Sequence, residues 1–374
     1  MIRLLQRTAL RKTRGAILAV GLGALTAAPA LAAQQADKDP SRFELGDFKL
    51  ENGQVIENGF LTYVTHGTLN EERNNAILVL PALMADHRRH DFLIGPGKAL
   101  DPAKYFIIAT DTLGNGRAIS PSNSKTQPGP DFPQFSIRDM VDAQHKLVTQ
   151  GLELDRLLAV IGVSMGGMQT YEWAARYPDM MTAAVPIVSM GRTTPWVTAI
   201  WESQRQAIMT DPAWAGGKYE TPPEKGLRAA AAGLELWVRN WDWIDSQFKD
   251  KDNKDVVDWL DNEAADIAKQ WDANDFIWQT RAEDLHDIAK GGNYAAALHR
   301  IAARTLLMPS TRDIFHPPAD SRFAAKNIPN AKLVEIDSPL GHLVGTEASP
   351  KINAFINKEI AKFLHEVFTD RVKI

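Results

Sequence analysis

The chain has 374 residues, with 42 Lys+Arg against 46 Asp+Glu and no cysteine. That composition excludes a disulfide framework, a thiolate zinc site and a cysteine nucleophile. An acidic balance also argues against nucleic acid or an anionic membrane surface as a partner. The length suits one large α/β domain carrying an insertion.

Met1 to Ala32 reads as a secretory signal peptide. Arg3, Arg7, Arg11, Lys12 and Arg14 form a basic start, Gly15 to Ala28 is an apolar stretch too short to span a bilayer comfortably, and Ala30-Leu31-Ala32 is a cleavage signal. There is no Arg-Arg pair for the twin-arginine route and no cysteine for a lipid anchor. Cleavage before Ala33 would leave 37 basic and 46 acidic side chains, a net charge of −9. The expected location is periplasmic or secreted, with no stable membrane anchor after cleavage.

From Phe43 to His66, polar-interrupted runs with turns at Gly53 and Gly59 predict one or two antiparallel edge strands. Continuous apolar runs at Ala76–Pro81 and Tyr105–Thr110 predict strands buried on both faces. Ser136 to Gln150 has helical spacing at Ile137, Met140, Val141 and Leu147. Leu157–Ile161 and Ala183–Val188 are the next strands. Strand–helix alternation of this kind predicts a mostly parallel sheet with helices on both faces. The alternation stops between about Thr193 and Arg300. That stretch holds nine of the ten tryptophans and predicts a helical cap over the C-terminal edge of the sheet, where open α/β sheets bind ligands. Most of the tryptophans are expected in helix–helix packing. Strands resume at Thr305–Ser310 and Lys332–Ile336, and Pro350 to Phe368 is a closing helix. The domains are therefore a leader at 1–32, a core at 33–192 and 301–374, and a cap at 193–300.

The sharpest local signal is Gly162-Val163-Ser164-Met165-Gly166, set between a buried strand and a helix stopped at Pro178. G-x-S-x-G in that setting is a nucleophile elbow, with the following helix aiming its positive end at the site. A serine nucleophile needs a base and a group to orient it. Asp313 and His342 each follow a predicted strand, in the chain order Ser, Asp, His, and are the expected partners. Asp337 is the rival acid. Oxyanion donors are expected from the N–H of Met165 and from the loop Ala82-Leu83-Met84, at Leu83 or an immediate neighbour, with Leu83 chosen. His87, His90 and Asp91 could suggest a metal cluster, but no further ligand set accompanies them. A charged, solvated loop is expected there, with no metal and no cofactor.

Several runs resemble the homoserine O-acetyltransferase-like branch of the α/β-hydrolase superfamily. They include His66-Gly67-Thr68-Leu69-Asn70, Gly95-Pro96-Gly97-Lys98, Ser164-Met165-Gly166-Gly167-Met168-Gln169, Glu172-Trp173-Ala174, Tyr177-Pro178-Asp179 and Ser203-Gln204-Arg205-Gln206. The resemblance implies an α/β-hydrolase fold, a mostly parallel sheet with a helical cap insertion. It implies ping-pong transfer of an acetyl or succinyl group from coenzyme A, through an acyl-serine, to a hydroxyl. Ser164, His342 and Asp313 fall on the family's nucleophile, base and acid. Arg205 falls on the cap arginine that grips an amino acid's carboxylate, a task suited to a guanidinium fork. Leu343 stands where these acyltransferases usually carry an aspartate that reads the acceptor's ammonium. Arg117-Ala118-Ile119-Ser120-Pro121 also departs from the family's glycine-serine-threonine-glycine-proline stretch.

With export, those departures lead to an expected serine esterase or acyl hydrolase acting on a small-molecule ester or acyl substrate. The alternatives are an O-acyltransferase using an acyl-coenzyme A donor, and a non-catalytic binding protein. A homodimer is compatible with the sequence.

Overall fold

A computed structural model describes residues 39–347 and 349–371; the signal-peptide segment lies outside the described residues. The edge is a hairpin of β1 (Ser41–Lys49) and β2 (Val55–His66), antiparallel to each other, with β2 antiparallel to β4 (Phe106–Thr110). The rest of the sheet is parallel: β3 (Ala76–Leu80), β4, β5 (Leu157–Val163), β6 (Met181–Ile187), β7 (Arg304–Leu307) and β8 (Ala331–Leu333). The order across the eight strands is β1-β2-β4-β3-β5-β6-β7-β8.

The helices are, in chain order, α1 (Ile137–Lys146), α2 (Met165–Arg176), α3 (Pro195–Met209), α4 (Glu224–Val238) and α5 (Trp241–Phe248). They continue as α6 (Asn253–Ala268), α7 (Ala273–Asp284), α8 (Tyr294–His299), α9 (Ala319–Asn327) and α10 (Pro350–Arg371). Alternate residues of each central strand face opposite layers, as the period of two requires. Ile77 and Val79 of β3 pack with Ile356, Ile360 and Phe363 of α10. Ala76, Leu78 and Leu80 pack with Val141 of α1, Trp173 of α2, Leu298 of α8 and Ala324 of α9. Burial on both faces is why β3 and β5 read as unbroken apolar runs.

The last two strands are shorter than their apolar runs suggest. Pro309 has no N–H for a ladder, so pairing beyond Leu307 survives only as isolated bridges, Met308 to Ile187 and Ser310 to Ile336. A prolonged strand end of this kind lets the chain leave the sheet at Thr311, where the site loop begins.

Helices α3 to α8 intervene between β6 and β7. Helix α8 packs on the sheet layer, whereas α3, α4 and α7 share a separate apolar cluster at the sheet's C-terminal edge. Tryptophans build much of it. Trp201 meets Phe276 of α7 edge-on at 5.8 Å between ring centres, and Trp271 stacks on Phe276 at 4.7 Å. Trp241, by contrast, is 64% exposed. Buried within the α3–α7 contact is Glu283, whose Oε2 accepts a 2.9 Å hydrogen bond from Trp201 Nε1.

Burial pushes the Glu283 carboxyl up from 4.5 to about 8, against the smaller opposing effect of the Trp201 bond. A raised folded value means that the folded state holds the proton longer than the unfolded one. Stability from this group is complete below 4.5 and is lost as pH rises through about 8. Glu283→Gln, which keeps an acceptor for Trp201 and never ionises, should therefore gain on the wild type as pH rises through that window. Thermal melts of both proteins at stepped pH check this; a constant difference in melting temperature from pH 5 to pH 9 would contradict it.

Candidate active site

Ser164 stands between the end of β5 and the first turn of α2, with φ 57° and ψ −121°. That is an unfavourable region for a residue with a side chain, and it is held by contact on both sides. A Cβ at Gly162 would lie 2.0 Å from the carbonyl oxygen of Gly166, and one at Gly166 would lie 2.0 Å from the carbonyl oxygen of Leu80. Only glycine allows strand and helix to close to that distance. Ser164 occupies the N-cap position of α2, yet its side chain makes no capping bond. The hydroxyl turns outward instead, and Oγ lies 2.8 Å from His342 Nε2.

His342 sits in a short 3-10 turn, Gly341–Gly345, and its Nδ1 lies 2.7 Å from Asp313 Oδ2. Asp313 is buried, and its other oxygen accepts the backbone N–H groups of Phe315 at 2.9 Å and His316 at 2.8 Å. With Oδ1 so occupied, Oδ2 is left for the imidazole. The structure thus brings together Ser164, His342 and Asp313. Asp337 lies apart, exposed and paired with Arg312 at 3.0 Å.

Two further residues, invisible as site members in the sequence, tie these loops down. His316 Nδ1 lies 3.0 Å from the carbonyl oxygen of Val188, and its ring meets that of His342 edge-on at 4.6 Å. Burial drives its imidazole far below the ordinary value, which keeps it neutral beside His342. Asn240, at the α4–α5 junction, donates its backbone N–H to Pro339 O at 3.2 Å and its side-chain amide to Arg312 O at 3.0 Å. One cap residue therefore holds both the histidine loop and the aspartate loop. Isolated polar residues in a sequence carry no signal of such long-range tethers.

The loop after β3 passes beside the N-terminus of α2. Gln169 of α2 holds Pro81 O through Nε2 at 3.3 Å. Among the described residues, the N–H groups of Leu83 and Met165 donate to no protein acceptor. A free N–H at a helix start beside a serine hydroxyl, as at Met165, suits a developing negative charge.

Arg205 is buried, with a relative exposure of 4%. Its guanidinium pairs with Asp284 at 2.7 Å and Glu202 at 3.0 Å, while Nη1 is buried without a hydrogen-bond partner. Leu343 is half-buried against the apolar cluster shared with Trp201, Phe315 and Met165.

The segment 86–91 departs from the expected solvated loop. It forms a 3-10 turn, His87–His90, with both histidines buried. Asp111, itself wholly buried, draws His87 inward through Nδ1 at 3.0 Å and raises its basicity. His90 is packed among apolar groups, which lowers it to about 3. Arg88 and Asp91 stay exposed. Among the described residues, no group of three or more His, Asp or Glu side chains is placed to hold a metal ion.

A family model described as the alpha/beta hydrolase fold matches residues 75–348. The homoserine O-acetyltransferase of Trichormus variabilis is 35% identical over 311 residues, covering 79% of this chain and 86% of that protein. An acetylester hydrolase from Corynebacterium glutamicum superposes with a TM-score of 0.82 at 31% identity, over 87% of this chain and 96% of that one. The homoserine O-acetyltransferase from Bacillus anthracis gives a TM-score of 0.80 at 28% identity, over 87% and 97%. Matches of that extent, on a chain whose elbow serine already meets a histidine and an aspartate, leave one assignment: this enzyme belongs to the homoserine O-acetyltransferase-like branch of the α/β-hydrolase superfamily.

Proposed function

We propose that the protein transfers an acyl group through a covalent acyl-Ser164 intermediate. The observation that carries this is the unbroken chain from Ser164 Oγ to His342 Nε2 at 2.8 Å and from His342 Nδ1 to Asp313 Oδ2 at 2.7 Å. His342 takes the hydroxyl proton as Oγ attacks the acyl carbonyl. Asp313 holds the imidazole in the tautomer that leaves Nε2 free to accept, and it stabilises the imidazolium that forms. The N–H groups of Leu83 and Met165 receive the tetrahedral oxyanion. Collapse returns the proton from His342 to the leaving group. In the second half, His342 removes a proton from the incoming nucleophile as it attacks the acyl carbonyl, then returns that proton to Ser164 Oγ as the bond from the acyl carbon to Oγ breaks.

Transfer to a hydroxyl acceptor is the fate that the curated relatives back, and it is preferred to the esterase expected from the sequence. Arg205 keeps Nη1 for an oxygen of that acceptor, with its charge already balanced by Asp284 and Glu202. Hydrolysis is the second reading, favoured by Leu343: a homoserine ammonium would meet no carboxylate there, and a buried unpaired cation is strongly disfavoured. The similar fold of an acetylester hydrolase supports the same reading. Export rests on the sequence of the first 32 residues alone, and mass spectrometry of the N-terminus in an extracytoplasmic fraction tests it.

Ser164→Ala and His342→Ala should each lower turnover by roughly 10³ or more. Asp313→Asn should be severely impaired, and Asp337→Asn near wild type, on p-nitrophenyl acetate. The reverse ranking of the two aspartates would refute the assignment of the acid.

Product analysis separates the two fates. Wild-type protein given acetyl-coenzyme A with homoserine, and p-nitrophenyl acetate with neutral alcohols, should yield acetylated acceptor in excess of free acetate. Free acetate alone under every condition would establish hydrolysis instead.

A further inference from the structure

We propose that Gln279, on cap helix α7, is a positioning residue for the oxyanion loop, so that the cap sets the donor at Leu83. This inference rests on the acyl-serine reading above.

After Pro81 the chain leaves the sheet and makes a tight turn, with Ala85 N–H donating to Ala82 O at 3.1 Å. Leu83 and Met84 are its two corner residues. Met84 has φ 52°, a left-handed value at the third turn position that normally calls for glycine. A methionine stays there only if something holds the peptide. That holder is Gln279. Its Oε1 accepts the Met84 N–H at 2.8 Å, and its Nε2 donates to Leu113 O at 3.0 Å.

The amide cannot serve both partners if turned over, because oxygen would face oxygen and N–H would face N–H. Gln279 is also fully buried, so water does not compete for either bond. Its seat is tight as well. A Cβ at Gly114 would lie 3.1 Å from Gln279 Cγ and 2.4 Å from the Phe135 ring.

The two ends of the loop have other anchors. Gln169 holds Pro81 O at 3.3 Å, and Asn115 holds Ala85 O at 3.0 Å. Among the described residues, Gln279 alone supplies a side-chain hydrogen bond to the turn's middle peptide. Without it the turn is free to relax toward the commoner type I form, which suits methionine, and Leu83 shifts with it. An oxyanion donor acts on charge that appears only in the transition state, so a displaced donor lowers kcat while leaving substrate binding nearly unchanged.

The test uses the full-length protein and p-nitrophenyl acetate, with active sites counted from the burst of p-nitrophenol. Gln279→Leu should lower kcat per active site by about 10- to 100-fold with KM within about twofold. Affinity for a trifluoromethyl ketone, which forms an oxyanion on Ser164, should weaken in parallel with kcat/KM. Gln279→Glu keeps an acceptor for Met84 at the same reach, and burial favours its neutral carboxyl, whose hydroxyl can donate to Leu113 O, so it should recover most of the lost kcat. If the leucine variant does not fold, Gln279→Asn, one methylene short of Met84, is read in its place. A variant that only melts earlier, with kcat per active site unchanged, would overturn the proposal, as would equal losses in the leucine and glutamate variants. Loss of the acyl-serine reading itself would show differently, as full activity in Ser164→Ala.

Discussion

Backbone contact between Gly162 and Gly166 is the constraint on which the site depends. With no side chain at either position, β5 and α2 approach until their peptide groups touch, and the single turn between them must take the dihedrals found at Ser164. Two consequences follow from that one contact. The serine hydroxyl cannot fold back to cap α2, so it is free for His342. The uncapped first turn of α2 then keeps its N–H groups available beside the hydroxyl, and the helix dipole adds to them. The outward serine hydroxyl and the free N–H groups beside it arise together from a single steric requirement.

Much of this was legible in the sequence because the relevant signals are local. Glycine spacing around Ser164, apolar runs at β3 to β6 and the placement of Asp313 and His342 after strands all depend on neighbours within a few residues. The parallel sheet, the antiparallel edge hairpin and the elbow follow from such signals. Asp313 could be preferred to Asp337 because Asp337 lies at the end of its strand and too close in sequence to His342, and the structure shows the Asp313 loop turning the N–H groups of Phe315 and His316 onto the carboxylate.

The remainder was not legible because it depends on partners far away in the chain. His87 belongs to a charged run, but a buried Asp111 on the next strand's end decides its surroundings. Arg205 lies on the buried side of α3 with Trp201 and Ile208, and its ion pair with Asp284 comes from a helix 79 positions later, beyond the reach of local signals. Gln279 and Asn240 look like ordinary helix and loop residues. Their importance comes from hydrogen bonds to backbone atoms at Met84, Leu113, Arg312 and Pro339, and backbone acceptors leave no mark in sequence.

Those tethers change how the cap is understood. Trp196 Nε1 donates to Ile314 O at 2.8 Å, Asn240 reaches both the aspartate and the histidine loops, and Gln279 holds the turn at Met84. Every loop that carries a proposed catalytic group after the elbow is thus bonded to the helical insertion as well as to its own strand. A cap joined in this way is more than a wall around the substrate. The charge-balanced Arg205 lies on α3 of that insertion, so changes there act on a body that also holds the loops of the reacting groups. On the proposed acyl-serine route the first half-reaction is common to transfer and hydrolysis, so an insertion that holds the aspartate and histidine loops bears on both fates alike.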